Sequence, residues 1–182
     1  MKPYSHLDIP PGIIKHRLRQ YVQRSGLIQR GKFVNDIGLE GAYEAIPELK
    51  DLLQQHGLSD LVTMLIIRTQ PSSIARNYPH TDVMLSPDMK VAVNWPIFNC
   101  DETFTTFYEA KPGVVPVLSQ LSNGLPYNKY QYEDVIETHR MTLNVPTAIR
   151  YDVLHAIVND TPNIRMTASF RFESNHWELF KD

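Results

Sequence analysis

Apolar residues follow a helical period in the first third of the chain. A first helix is predicted after Pro10-Pro11-Gly12 by apolar residues that recur at helical spacing, namely Ile13, Ile14, Leu18 and Val22. A second, short helix is predicted over residues 47–56, which carry three leucines and end before Gly57, a residue type that commonly follows a helix. Residues 1–60 are therefore expected to form a helical support.

After residue 60 the period changes to runs of strand length. Residues 61–67 are continuously apolar, and residues 83–85 and 91–98 flank Ser86-Pro87-Asp88-Met89, whose turn-forming residues predict a hairpin. Further strands are predicted at residues 103–108, 147–158 and 164–172. Residues 113–134 contain Pro, Gly and polar residues, so we expect a long excursion or a lid there.

Helices followed by many short strands predict a mainly β protein with flanking α-helices, either a β-sandwich or a jelly roll. A parallel α/β sheet is disfavoured, because helical patterns do not alternate with the strands. The length of 182 residues suits a single domain with its own core. We expect N-terminal helices in residues 1–60, a jelly-roll core in residues 61–173 and a C-terminal tail in residues 174–182.

Composition and charge narrow the possible partners. Hydrophobic residues make up 42% of the chain and charged residues 21%, and the net charge of −2 argues against a broad nucleic-acid-binding surface. Cys100 is the only cysteine, so an intrachain disulfide is impossible. The sequence has neither an apolar run of membrane-spanning length nor the apolar core of a signal peptide at its start. We expect a cytoplasmic protein that does not contact a membrane.

Three residues form a candidate metal site. His80 and Asp82 are two positions apart, so on a strand both side chains point to the same face. His155 lies in a second predicted strand and is expected to reach the same point from across the sandwich. Two imidazoles and one carboxylate can hold one face of an iron(II) ion and leave the opposite face open for chemistry. We therefore predict that these three residues are catalytic and bind a metal.

Weaker sets of the same residue types compete with this interpretation. A chain of this composition contains roughly 0.4 His-x-Asp pairs by chance, and a second one occurs at His6-Leu7-Asp8. We interpret that pair as surface or capping residues, because no hairpin follows it. His139 is a rival distal histidine with Arg150 eleven residues later, but Asp152 on the same strand face would repel a carboxylate.

The predicted strand at residues 164–172 alternates between polar and apolar side chains. Its polar face carries Arg165, Thr167, Ser169 and Arg171. Either it is an edge strand with a solvated face, or the polar face lines a cavity. In the cavity interpretation, Arg165 binds the distal carboxylate of a dicarboxylic keto acid with its guanidinium fork, and Thr167 is a second donor. Arg171 is the reserve candidate for Arg165.

Two further polar residues are candidate ligands of the keto acid or of the substrate. Asn94 alternates onto the face of its strand that also carries Ala92 and Pro96, where its amide could donate or accept a hydrogen bond. Tyr108 follows a run of aromatic and β-branched residues and could contribute a phenol donor. A metal site combined with an arginine that binds a carboxylate is the pattern of an oxygenase that consumes a keto acid.

The order His80-Thr81-Asp82, His155 and Arg165-x-Thr167 resembles the iron(II)- and 2-oxoglutarate-dependent oxygenase superfamily. The resemblance covers residues 61–173. Residues 91–109 (VAVNWPIFNCDETFTTFYE) are similar to small stand-alone members, including ones encoded by bacteriophages, related to the aspartyl/asparaginyl hydroxylase branch. The cupins, a rival jelly-roll family, usually carry a His-x-His pair followed by a Glu, which is missing here.

The resemblance implies a double-stranded β-helix fold and a hydroxylase activity. It implies that His80, Asp82 and His155 bind Fe(II), that 2-oxoglutarate binds to the metal with its far carboxylate on Arg165, and that O2 is consumed while succinate and CO2 form. The substrate is expected to be a protein side chain, an amino acid or a small metabolite rather than nucleic acid. The alternatives are a non-catalytic jelly-roll module and a cupin-like metalloenzyme that uses no keto acid.

Overall fold

Two stacked antiparallel β-sheets form the body of the protein in the computed structural model, which describes residues 2–9, 12–28, 33–75, 77–82, 89–120, 124 and 126–180. Within these residues, each sheet has six strands. The strands of sheet I are β1 (Tyr4–His6), β2 (Val34–Asp36), β3 (Leu61–Thr69), β5 (Val91–Phe98), β10 (Thr147–Arg150) and β12 (Arg165–Phe172). The strands of sheet II are β4 (His80–Asp82), β6 (Phe104–Ala110), β7 (Val117–Gln120), β8 (Pro126–Lys129), β9 (Val135–Thr142) and β11 (His155–Val158).

The strand orders show how the sheets are built. Sheet I runs β1-β10-β5-β12-β3-β2, and sheet II runs β7-β8-β4-β11-β6-β9. From β9 to β12 consecutive strands alternate between sheet II and sheet I, and two such facing antiparallel sheets are the architecture of a jelly roll. This confirms the predicted fold class, a mainly β double-stranded β-helix with N-terminal helices.

The helices cover the outer face of sheet I. They are α1 (Gly12–Arg24), α2 (Gly38–Ala45) and α3 (Leu49–Gln55). Helix α1 buries Ile14, Leu18 and Val22 against the apolar side chains of β5 and β12, whereas Ile13 is exposed to solvent. Helix α3 ends before Gly57, whose φ of +72° suits a glycine. Among the described residues, no helix combines the length and the apolar content that a bilayer span would need.

The helical layer determines which face of β12 meets the cavity. Strand β12 lies between β5 and β3 in the middle of sheet I, so it is not an edge strand. Its apolar side chains, from Met166 to Phe172, belong to the core beneath the helices. Its polar side chains consequently point the other way, into the space between the two sheets, where Arg165, Thr167 and Ser169 are buried.

Several elements differ from the sequence-based expectations. Strands β1 and β2 are three residues each, and helix α2 contains two glycines and buries only small alanines, so none of the three has a strong hydrophobic period. The strand predicted at residues 147–158 is two strands, because residues 151–154 turn from sheet I to sheet II. Part of the excursion expected at residues 113–134 is the paired ribbon β7–β8. The strand predicted at 83–85 and most of the turn after it lie outside the described residues.

Candidate metal and carboxylate site

The three predicted metal ligands meet at one point. His80 and Asp82 lie at the two ends of β4, and His155 begins β11, the neighbouring strand. His80 and His155 are directly paired in the ladder, so His155 reaches the site from the same sheet and not from across the sandwich as expected. One ligand atom from each of the three residues lies within 4.8 Å of the other two.

Hydrogen bonds orient both imidazoles. Nδ1 of His80 lies 2.8 Å from the carbonyl oxygen of Tyr78, and Nδ1 of His155 lies 2.8 Å from that of Val153. A carbonyl can only accept, so each Nδ1 carries a proton and Nε2 is the nitrogen of each ring that can bind a metal. Metal-binding histidines are commonly fixed by such a bond from their second nitrogen. The arrangement therefore suits coordination through both Nε2 atoms.

The charge states of the site also suit a cation. Burial, together with the neighbouring His80, lowers the pKa of His155 to about 4, so its imidazole is neutral at pH 7. Burial alone would raise the pKa of Asp82, but the charges of Arg171 and the two histidines outweigh this and lower it. Asp82 is consequently a carboxylate beside the neutral imidazole of His155, and both groups are in the protonation state that a divalent metal requires.

Arg171 lies beside the carboxylate ligand. Its Nη2 donates a hydrogen bond of 3.3 Å to Oδ2 of Asp82, and the other oxygen of Asp82 faces Nε2 of His80 at 3.7 Å. The guanidinium of Arg171 also lies over the ring of Tyr151, 3.9 Å from its centroid. One oxygen of Asp82 is thus directed at the candidate metal position while the other is held by an arginine.

A cavity between the sheets extends from this point to Arg165. It is lined by residues of both sheets, among them Asn94, Thr105, Tyr151, His155, Ile157, Arg165, Thr167 and Arg171. Arg165 is 1% exposed, and its Nη2 donates to Oγ1 of Thr105 at 3.4 Å. Its Nε and Nη1 have no hydrogen-bond partner among the described residues.

A buried guanidinium with two unpartnered donors is costly unless an anion binds there. Burial lowers the pKa of Arg165, yet an arginine keeps its charge in a protein. Asn94 and Thr167 line the same cavity, and Oδ1 of Asn94 and Oγ of Ser169 are buried and unpartnered within the described residues. Unused polar atoms along one cavity wall suit a small polar ligand with a carboxylate.

Tyr108, the remaining predicted ligand, is not among the described residues that line this cavity. It belongs to a separate cluster with Val135, Leu154 and Ala156, on the opposite face of β6 from Thr105. Burial raises the pKa of Tyr108 to about 12. Thr105 and Tyr151 line the cavity but were not predicted from the sequence. The strand alternation around Thr105 is the only sequence pattern that points to one of them.

The rival residues do not form a second site. His6 lies on β1, where its Nδ1 is 3.0 Å from Oγ1 of Thr147. His139 lies on the edge strand β9, and Arg150 is bound to Asp152 through two hydrogen bonds of 2.6 and 3.0 Å. Among the described residues, the group formed by His80, Asp82 and His155 is the only set of three potential ligands that could hold a metal ion.

Solved structures with this fold exist, although neither a protein-family model nor a curated protein matches the sequence. Apo HygX from Streptomyces hygroscopicus has a TM-score of 0.54 and 11% identity, covering 95% of this chain and 82% of that one. A Pseudomonas putida prolyl-4-hydroxylase has a TM-score of 0.52 and 12% identity, covering 93% and 91%. SnoK, a non-heme α-ketoglutarate-dependent carbocyclase from nogalamycin biosynthesis, has a TM-score of 0.51 and 10% identity, covering 93% and 78%.

At these identities the likeness establishes the fold. It extends over nearly the whole chain, so it includes the N-terminal helices as well as the jelly roll. HygX has also been solved with iron bound. The chain therefore has a double-stranded β-helix fold that it shares with these solved structures.

Proposed function

We propose that this protein is an Fe(II)- and 2-oxoglutarate-dependent oxygenase, and more specifically a hydroxylase. The observation that carries the proposal is that a cluster of three ligand side chains adjoins, through His155, a cavity that Arg165 lines with unpartnered donors. A metal site alone fits many enzymes, and a buried arginine alone fits many folds. The two together suit a cosubstrate that binds a metal at one end and carries a carboxylate at the other.

Each residue has a definite part in this function. The Nε2 atoms of His80 and His155 and one oxygen of Asp82 would hold the metal, which these donors fit in type and in protonation state. Iron and 2-oxoglutarate, when bound, supply the oxidising chemistry with O2 and release succinate and CO2. The protein binds and orients the reactants and limits the access of water.

Arg165 would bind the far carboxylate of 2-oxoglutarate. Its unpartnered Nε and Nη1 each share an edge of the guanidinium with Nη2, whose second N–H is not the one donated to Thr105, so a carboxylate can form a bidentate pair with Nη2 and either of these donors. Thr105 holds its Nη2 from the opposite sheet, so the fork is oriented before the ligand binds. Thr167 and Asn94, which line the same cavity, are further polar partners for the keto acid.

The primary substrate is proposed to be an amino acid, a protein side chain or a small metabolite. The neighbouring structures include a carbocyclase and a prolyl-4-hydroxylase, so the fold supports more than one reaction. Hydroxylation is proposed because the sequence around residues 91–109 resembles hydroxylase relatives. The matched region covers 78–91% of the lengths of these neighbours.

Turnover of 2-oxoglutarate tests the proposal without knowledge of the substrate. The purified protein is incubated with Fe(II), ascorbate, O2 and 2-oxoglutarate, and succinate is measured. We expect slow succinate formation that depends on Fe(II), and we expect 2-oxoglutarate to bind in the absence of O2 only when metal is present. His16→Ala, on the exposed face of α1, is the matched control for loss of a histidine.

Two results would contradict the proposal. The first is the absence of both succinate formation and metal-dependent 2-oxoglutarate binding in the wild-type protein, which would favour a non-catalytic jelly-roll module. The second is metal binding with no affinity for 2-oxoglutarate, which would favour a metalloenzyme that uses no keto acid.

A further inference from the structure

Asp82 has fewer strand-pairing contacts than the other two candidate ligands. It is the last residue of β4, and on the β11 side the ladder registers only the pair of His80 with His155. On the β8 side Asp82 is paired with Tyr127. A carboxylate at a strand end needs other contacts to hold one rotamer, because a metal site requires ligands fixed to within a fraction of an ångström.

Tyr151 supplies one such contact through its backbone. The N–H of Asp82 donates to the carbonyl oxygen of Tyr151 at 3.3 Å, on the side of β4 where the ladder has ended. The N–H of Tyr151 donates in turn to the carbonyl oxygen of Lys90 at 3.2 Å. Tyr151 lies in the turn that connects β10 to β11, so it joins sheet I to the metal-binding strand of sheet II.

The ring of Tyr151 supplies a second, independent contact. Arg171 lies over this ring at 3.9 Å and donates to Oδ2 of Asp82 at 3.3 Å. Arginine side chains have many rotamers, and a flat aromatic face restricts the guanidinium to a plane. Tyr151 is 1% exposed, so its ring is fixed by packing. The ring therefore limits where Arg171 can present its donor to the carboxylate.

The turn that carries Tyr151 is itself anchored on both sides of that residue. Arg150 and Asp152 form a two-point ion pair across it, at 2.6 and 3.0 Å. The N–H of Arg150 donates to the carbonyl oxygen of Pro3 at 2.9 Å, which ties the turn to the N-terminal strand. Tyr151 thus stands on a fixed support while contacting Asp82 by two routes.

We propose that Tyr151 is a positioning residue for the metal site, which fixes the Asp82 carboxylate through its carbonyl and through the stacked Arg171. The proposal rests on the proposed role of His80, Asp82 and His155 in metal binding. It assigns Tyr151 no contact with the metal. Its consequence is that the ring face of residue 151 determines metal affinity, although the residue lies outside the ligand set.

The proposal is tested by substitutions of Tyr151 that distinguish the effect of losing the ring from a general effect on folding. Co(II) is titrated anaerobically into the metal-free protein, with the dissociation constant and the visible spectrum of bound Co(II) as readouts. Tyr151→Phe keeps the ring and is expected to stay within about twofold of wild type. Tyr151→Leu removes the ring and is expected to weaken Co(II) binding by about tenfold, the lower end of the range for residues that orient ligands, with an altered Co(II) spectrum.

Phe170→Leu is the control for losing a buried aromatic residue. Phe170 precedes Arg171 in β12 but faces the helical core, so its loss should lower the melting temperature without changing Co(II) affinity. If Tyr151→Leu fails to fold, Tyr151→Met, whose flexible side chain fills irregular space, replaces it. Equal losses of Co(II) affinity in Phe170→Leu and Tyr151→Leu would overturn the proposal, and so would equal losses in Tyr151→Phe and Tyr151→Leu.

A double-mutant cycle with Arg171→Met tests the route through the arginine. If Tyr151 acts through Arg171, Tyr151→Leu should cost less than about twofold in Co(II) affinity once Arg171 has been removed. Strictly additive losses would overturn this route. The wild-type titration separates the two levels of inference, because a wild-type protein without Co(II) affinity contradicts the proposed function, whereas a wild-type site that is insensitive to Tyr151→Leu contradicts only the role of Tyr151.

Discussion

Arg165 and Arg171 share a strand and a face, yet their hydrogen-bond partners differ. Both project from β12 into the space between the sheets, and both line the same cavity. Arg171 donates to the Asp82 carboxylate and stacks on Tyr151, and its side chain is 12% exposed. Arg165 is 1% exposed, and a threonine hydroxyl is its hydrogen-bond acceptor within the described residues.

The difference shows which arginine is available for a ligand. A guanidinium that already binds a carboxylate has less to gain from a second one, and moving it would release Asp82. A buried guanidinium that faces neutral groups gains the full benefit of an incoming anion. We therefore propose Arg165 as the carboxylate-binding residue and Arg171 as a support of the metal end of the cavity.

The largest effect is expected on metal affinity, from substitution of a single candidate metal ligand. Asp82→Ala and His155→Ala should each weaken Fe(II) or Co(II) binding by more than about 100-fold, because two remaining ligands cannot hold the metal in a facial arrangement. Metal content after dialysis and Co(II) titration measure this loss, with His16→Ala as the control. Stoichiometric metal in both variants would mean that the ligands are other residues.

The next largest effect is expected on 2-oxoglutarate affinity, from substitutions of Arg165 that leave metal binding intact. Arg165→Met should keep Co(II) affinity within about twofold but weaken 2-oxoglutarate binding by about 100-fold, since two charge-assisted hydrogen bonds are lost. Arg165→Lys should lose about tenfold, because an ammonium cannot reproduce the planar fork. Anaerobic titration of 2-oxoglutarate into the metal-loaded protein measures both. Unchanged affinity in Arg165→Met would transfer the role to Arg171.

The sequence predicts which side chains of one strand share a face. It does not predict which of the two faces meets the cavity or which side chains of other strands lie opposite. The polar and apolar faces of β12 are visible in its alternation, and His80 and Asp82 share a face for the same reason. Which face meets a cavity depends on the helices that cover sheet I, and which arginine has a partner depends on the packing of sheet II. Arg165 and Arg171 are equivalent by sequence pattern, and only Asp82 distinguishes them in space.

Pairing between distant segments accounts for the remaining differences. The place of His155 beside His80 depends on β4 and β11 being neighbours, although the two histidines are 75 positions apart in the sequence. The facing of β6 depends on Thr105 meeting Arg165, so the sequence alone left open whether Tyr108 pointed inward or outward. A one-residue change of register would exchange the two faces of such a strand.

The two arginines should also affect stability in opposite directions. In metal-free protein and in a buffer without carboxylate or phosphate, Arg165→Met replaces a buried, uncompensated charge and should raise the free energy of unfolding by about 1–3 kcal/mol. Arg171→Met leaves Asp82 without its partner and should lower it by about 1 kcal/mol, since Asp82 is 27% exposed and partly screened by water. Urea unfolding measures the free energy of unfolding of both variants. Changes of the same sign would contradict the difference proposed between the two arginines.

The smallest effect is expected from substitution of Tyr108, which tests whether residues outside the cavity contribute to 2-oxoglutarate binding. Its phenol lies on the outer face of β6 among Val135, Leu154 and Tyr132, so Tyr108→Phe removes no group from the cavity. We expect 2-oxoglutarate affinity and Co(II) affinity to change by less than about twofold, in the same titrations used for Arg165→Met. A loss of 2-oxoglutarate affinity approaching that of Arg165→Lys would mean that β6 presents its other face to the ligand. Because Thr105 and Tyr108 project from opposite faces, that result would also remove Thr105 from the support of Arg165 and, with it, the reason for assigning the carboxylate to this arginine.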